Sequence, residues 1–199
     1  MYTKVIGNEV YFCADIHEDS VSELNHVLRK TQMDLIVKCA AIGIDPPGIT
    51  LYIHSNGGCV FSGLSAMDHI RSMKVPVTTV VDGVCCSAAT FLLLGGHSRV
   101  MKQNSFVLIH QISNNMWGKF EELKDEMQTV TKLMEHVKHI YKTETRISDK
   151  KLKTFMKRDV YLDSSQCLKY GIVSGLLPTF IDKPLPQYKP KDGDDQESD

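Results

Sequence analysis

Ile49-Thr50-Leu51-Tyr52-Ile53, continuing through His54-Ser55-Asn56 into Gly57-Gly58, is the stretch that decides how this chain folds. The β-branched and aromatic run reads as a buried strand and the glycine pair as a turn. Leu64, Met67 and Ile70 beyond it read as the apolar face of a helix. The same pattern returns as Val75-Pro76-Val77-Thr78-Thr79-Val80-Val81, then Asp82-Gly83, then a helix starting near Ser87 and carrying Phe91 and Leu94. Two strand, turn, helix units in series predict an α/β fold with stacked, largely parallel strands and helical crossovers.

Working outward, Val10-Tyr11-Phe12-Cys13 reads as the first strand. Ser20 with Glu23 reads as a capping box for a helix striped by Val21, Leu24, Val27 and Leu28. Residues 99–101 and 106–109 read as two short strands leading to His110. A long helical pattern then spans about residues 119–145, with Phe120, Leu123, Met127, Val130, Leu133, Val137 and Ile140 at three- and four-residue steps. Such a helix is about 40 Å long, more than one domain of this size needs to cover its sheet, so part of it is expected to project and to lie against another copy of the chain. Periodicity alone equally allows it to bend over the core.

At 199 residues and 42% hydrophobic, the chain suits one domain with a substantial core. A formal charge of -1 provides no broad basic field, which argues against a nucleic-acid partner. The amino terminus lacks an apolar leader and the longest apolar run is Phe91-Leu92-Leu93-Leu94, so no membrane span is expected. Cys13, Cys39, Cys59, Cys85, Cys86 and Cys167 show neither disulfide-framework nor zinc spacing, which points to a reducing, cytoplasmic setting. His136 and His139 read as a solvated helix face, and neither a metal nor another cofactor is implied. Residues 178–199, proline-rich and then acidic, read as a tail that buries little surface.

Three segments carry candidate chemistry: Gly83-Val84-Cys85-Cys86-Ser87-Ala88-Ala89, Ile109-His110-Gln111 and Lys157-Arg158-Asp159. A serine hydroxyl is a poor nucleophile unless an imidazole takes its proton and a carboxylate orients that imidazole. Ser87, His110 and Asp159 supply those three groups as nucleophile, base and orienting acid. Taken singly, each is also ordinary: Ser87 as a packing residue, His110 as a backbone-bonded histidine, Asp159 as an arginine partner. The G-x-S-x-G elbow is not met. A hydroxyl at a strand-to-helix turn nevertheless lies beside free amides, and Gly57-Gly58, although most often just a tight turn, can aim another. Backbone N–H groups of Gly58 and Ala88 are the candidate oxyanion hole.

The order of serine, Ile-His-Gln and Arg-Asp-x-x-Leu resembles the proteolytic subunit of the Clp protease, the ClpP family of serine peptidases. Further carriers of the resemblance are Leu51-Tyr52-Ile53-x-Ser55-x-Gly57-Gly58, Gly63-x-Ser65, Phe91-Leu92-Leu93 and Tyr170-Gly171-Ile172-Val173. The resemblance implies a crotonase-like, ClpP-like fold of repeated β-β-α units over residues 1–177, with a protruding handle at about 112–146. It implies Ser87, His110 and Asp159 as the catalytic triad, with Gly58 and Ala88 at the oxyanion. It also implies heptameric rings, stacked in pairs, that enclose the serines and cleave peptides or unfolded polypeptides.

Where the family is active on folded proteins, an ATP-driven AAA+ ring unfolds the substrate, and this chain has no G-x-x-x-x-G-K loop of its own. The family's amino-terminal segment, which meets that ring, is shortened here, so weak unfoldase docking is expected. After His110-Gln111 the family's proline and glycines are replaced by Ile112-Ser113-Asn114-Asn115-Met116-Trp117, which alters ring stacking and peptide alignment. The residues after the serine are Ala88 and Ala89 in place of methionine and glycine, and the interval from Ser87 to His110 is slightly shorter than the family's. These departures support a second reading, a non-catalytic or regulatory ring subunit that co-assembles with active ClpP subunits. A third, an acyl-CoA enzyme of the same superfold, leaves Ser87, His110 and Asp159 unexplained.

Overall fold

The computed structural model describes residues 2–113 and 115–178. The expected tail at 178–199 therefore lies, apart from Pro178, outside the described residues.

β1 (Tyr2–Ile6) and β2 (Glu9–Cys13) form an antiparallel hairpin across Gly7-Asn8, with Gly7 at φ +62°. β1 is an addition to the sequence reading, which starts the sheet at residue 10. Its side chains are mostly exposed, so it lacks the in-out alternation that marks a half-buried strand. α1 (Glu18–Ala40) follows. Its capping box is made by His17 and Ser20 rather than Ser20 and Glu23: His17 Nδ1 accepts from Ser20 N at 3.2 Å, and Ser20 Oγ accepts from His17 N at 3.1 Å. Ser20 is buried and also donates to Asp15 O at 2.7 Å, so it belongs to the first turn. Glu18 and Asp19 then face the positive helix end.

β3 (Ile49–Ser55) leads to α2 (Val60–Arg71), and β4 (Val77–Cys86) leads to α3 (Ala89–Gly95). β2, β3 and β4 pair in parallel, as two successive strand–helix units require. Every residue of α3 is buried, including the polar Thr90, and its apolar residues pack within one core with Leu51, Ile53, Met67, Ile70 and Val81.

Asp82-Gly83, expected as a turn, lies inside β4. The strand bends there, with Gly83 at φ +84° and a register shift against β3, and changes partner. Its first half pairs with β5 (Ser98–Met101) and its second half with β6 (Phe106–Ile109), both in parallel. Buried Ser105 holds the bend: its Oγ accepts from Gly83 N at 2.9 Å and donates to Val81 O at 3.0 Å. Backbone groups freed by the partner change are thus bonded rather than orphaned. The bend carries β4 past the glycine pair after β3 and ends it at Ser87.

α4 (Phe120–Glu144) is 25 residues long, about 38 Å. Its buried residues are Val137, Ile140 and Tyr141, all in its last third. No residue of the preceding four turns is fully buried; Leu123, Val130, Leu133 and Met134 are half-buried, and Phe120 and Met127 are exposed. α5 (Asp149–Met156), β7 (Val160–Leu162), α6 (Ser164–Lys169) and β8 (Gly175–Leu176) complete the chain; β7 pairs antiparallel with β6, and β8 parallel with β5. Among the described residues, no helix is long and apolar enough to cross a membrane.

Candidate active site

Ser87 follows the last paired residue of β4, where Cys86 faces Leu108, and its N–H donates to Leu108 O at 2.9 Å. Its φ of +55° is the sole positive value at a non-glycine position among the described residues. An L-residue held there costs about 1–2 kcal/mol. Ala88 then caps α3, and the Ser87 carbonyl accepts from Thr90 N at 3.0 Å and from Thr90 Oγ1 at 2.6 Å. The chain therefore makes a sharp elbow at Ser87 although the G-x-S-x-G pattern is missing. Small neighbours Cys86, Ala88 and Ala89 leave room for it.

The glycine pair is shaped by what stands on either side. Ile16 forms an isolated parallel bridge with Gly58, donating to Gly57 O at 2.7 Å and accepting from Cys59 N at 2.7 Å. In extended backbone alternate N–H groups face opposite ways, so with Gly57 O and Cys59 N taken up by Ile16 the Gly58 N–H faces away from Ile16; Gly58 also lines a cavity. Gly58 has φ +143°, and a Cβ there would lie 2.2 Å from Ile16 O; at Gly57, φ +99°, a Cβ would lie 2.7 Å from Cys86 O and from Ser87 Cβ. Only glycine fits at both positions. The backbone of the pair packs directly on the serine elbow.

His110 immediately follows β6 and Asp159 immediately precedes β7. Because Ile109 pairs with Val160 in an antiparallel register, the next residues along the two strands, His110 and Asp159, face each other. His110 Nδ1 lies 3.6 Å from Asp159 Oδ1, with side-chain exposures of 24% and 77%. That separation is an ion-pair distance, too long for a hydrogen bond, and water screens it.

Ser87, Ala88, Gly58 and His110 line one cavity of about 260 Å³. Asp159 is absent from its lining and reaches it only through His110. Four apolar or aromatic residues, Val60, Phe91, Val137 and Tyr141, line the same cavity, and Asn56, Gln111, Ile112 and Ser113 complete its lining. Residue type and spacing do not mark Val60, Phe91, Val137 or Tyr141 as part of the site. Phe91 and Val137 carry helical periodicity that marks them as core, and nothing in the sequence brings residue 141 beside residue 91; the ring centroids of Phe91 and Tyr141 are 6.0 Å apart.

Burial pushes the Tyr141 hydroxyl well above the usual tyrosine range, and it also pushes up the Cys85 and Cys86 thiols next to Ser87. All three are protonated at neutral pH and supply no competing nucleophile. Among the described residues no group of three or more His, Cys, Asp or Glu side chains could hold a metal ion.

The family model described as Clp protease matches residues 25–179. Curated relatives named ATP-dependent Clp protease proteolytic subunit include one from Mesostigma viride, 33% identical over 67% of this chain and 59% of the relative. Another, from Deinococcus radiodurans, is 33% identical over 65% of this chain and 64% of the relative. A third, proteolytic subunit 2 of Treponema pallidum, is 33% identical over 68% of this chain and 69% of the relative. The chain spans about three fifths of the length of the first two.

Proposed function

The chain belongs to the Clp protease family, and from that premise we propose that it is a serine peptidase whose nucleophile is Ser87. Its base is His110, its orienting acid is Asp159, and its oxyanion donors are the amides of Gly58 and Ala88. The observation that carries this reading is the elbow: a serine at φ +55° opens into the cavity that His110 and Gly58 also line.

An extended polypeptide enters with an apolar side chain against Phe91, Val137 and Tyr141, which places its carbonyl carbon over Ser87 Oγ. His110 faces Asp159 with Nδ1, which leaves Nε2 to take the serine proton and return it to the departing amine. As the carbonyl oxygen gains charge, the two amides receive it; such donors are typically worth about 2.7–4 kcal/mol each. At 3.6 Å and largely exposed, Asp159 orients the imidazole and favours the imidazolium as an ion-pair partner, without a direct hydrogen bond.

Phe120 and Met127, exposed on the first turns of α4, support self-association into rings that enclose the site. Peptides and unfolded chains are the substrates that fit such a chamber. Folded proteins would require an AAA+ partner, and a reducing compartment suits six unpaired cysteines. A second reading, a regulatory subunit co-assembling with active ClpP subunits, draws on the loose and exposed Asp159.

Hydrolysis of short fluorogenic peptides by the wild type, lost in Ser87→Ala and in His110→Ala while both remain folded and assembled, is the expected result. Activity that survives Ser87→Ala would overturn the peptidase assignment. Mixed rings whose activity is indifferent to that substitution would favour the regulatory reading.

A further inference from the structure

Ser87 O and Ala88 N belong to a single peptide unit. In a trans peptide the C=O and the following N–H point in opposite directions, and no cis bond occurs among the described residues. Whatever holds the Ser87 carbonyl therefore sets the aim of the Ala88 amide.

Thr90 Oγ1 lies 2.6 Å from Ser87 O and 2.5 Å from Tyr141 Oη. A carbonyl only accepts, so the single Thr90 hydroxyl proton goes to Ser87 O. The Tyr141 hydroxyl must then donate to Thr90 Oγ1. Both residues are buried, at 1% and 2% exposure, so water does not compete. A threonine bonding the carbonyl three residues back is common in helices. Here a second hydroxyl from α4, 51 residues away in sequence, drives it. Hydroxyls donating in series polarise one another, and the pull ends on the carbonyl of the strained residue.

Resting on the assignment of Ser87 as nucleophile, we infer that Thr90 and Tyr141 are positioning residues for the oxyanion hole. The relay from Tyr141 through Thr90 to the Ser87 carbonyl aims the Ala88 N–H into the cavity and strengthens it as a donor. Neither residue touches the reacting atoms through its hydroxyl. Tyr141 is among the residues that line the cavity, and its hydroxyl is taken up by Thr90.

Thr90→Val keeps the shape and removes the hydroxyl; Thr90→Ser keeps the hydroxyl and removes a methyl group; Tyr141→Phe removes the outer donor alone. With a short fluorogenic peptide, Thr90→Val and Tyr141→Phe should each lower kcat by roughly threefold to tenfold, the scale of one intramolecular hydrogen bond, with KM little changed. Affinity for a peptide aldehyde, which forms a tetrahedral oxyanion on the serine, should fall by the same factor. Thr90→Ser should recover most of the rate lost in Thr90→Val. If these residues only pack, the ranking reverses: Thr90→Val is harmless and Thr90→Ser is the damaged variant. That ranking, or equal losses in kcat and in ground-state binding, would overturn the relay. A folded, assembled wild type inert toward both peptide and aldehyde would instead overturn the assignment of Ser87, and the relay with it.

Discussion

Gly57→Ala is the most informative single change outside the proposed triad, because the three atoms nearest the added methyl group all belong to the serine elbow. Its Cβ would lie 2.7 Å from Ser87 Cβ and from Cys86 O, and 3.3 Å from Ala88 N. Two costs add. Alanine at φ +99° is strained by about 1–2 kcal/mol, and inserting a methyl group into a filled site costs about 1–3 kcal/mol. Together they predict about 2–5 kcal/mol of destabilisation, or roughly 5–20 °C in Tm for a chain of this size. Gly7→Ala is the control: its φ of +62° is also left-handed, but nothing lies within 4 Å of the added carbon. It should cost only about 1–2 kcal/mol. Relief of the Gly57→Ala contact requires Ser87 to retreat by about 0.7 Å, and displacements approaching 1 Å at a reacting group cost up to about 100-fold in rate. Thermal unfolding of both variants beside peptide turnover checks this. Were Gly57→Ala to melt with Gly7→Ala and turn over peptide at the wild-type rate, the packing of the glycine pair on the elbow would be wrong.

Three further outcomes are expected. Asp159→Asn should lower peptide turnover only about fivefold in the chain as isolated, because an exposed pair at 3.6 Å is worth no more than about 1 kcal/mol, whereas His110→Ala should cost about 100-fold or more; equal losses would mean that Asp159 is fully engaged. Cys59 is exposed, and hydrogen bonds from the Ser62 hydroxyl and the Ser62 amide hold its thiol below the usual range, whereas burial pushes Cys167 up to about 12. Iodoacetamide should therefore alkylate Cys59 first, with the midpoint of its rate–pH curve below that of an ordinary thiol. Mass spectrometry showing Cys167 or Cys85 modified first would contradict that order. Phe120→Asp and Met127→Asp, on the exposed part of α4, should each weaken self-association measured by native mass spectrometry, since burying such a side chain is worth about 1.5–3 kcal/mol; unchanged assembly would remove α4 from the interface.

Much of this architecture is legible from local pattern. Residues 49–53 and 75–81 read as strands from their β-branched runs, and about 119–145 reads as a helix from its unbroken apolar spacing; the strands run on to Ser55 and Cys86, and the helix spans Phe120–Glu144. What escapes is set by long-range pairing. Asp82-Gly83 looks like a turn and is a bend, because Ser105, far along the chain, bonds the two backbone groups that the bend frees. The exposed β1 leaves no periodic trace. Within the site, Ser87, His110 and the glycine pair stand out through residue type and position, whereas the left-handed backbone of Ser87 and the walls built by Phe91 and Tyr141 depend on tertiary contacts. Asp159 faces His110 because β6 and β7 pair, and the short Val160–Leu162 strand carries no signal strong enough to foresee that.

The central claim is that Ser87 is the group that attacks. Incubating the folded, assembled protein with a fluorophosphonate and mapping the adduct by peptide mass spectrometry tests it most directly. A single adduct is expected, on Ser87, forming more slowly in His110→Ala and not at all after denaturation. An adduct on another residue, or no adduct on an assembled wild type, would contradict it.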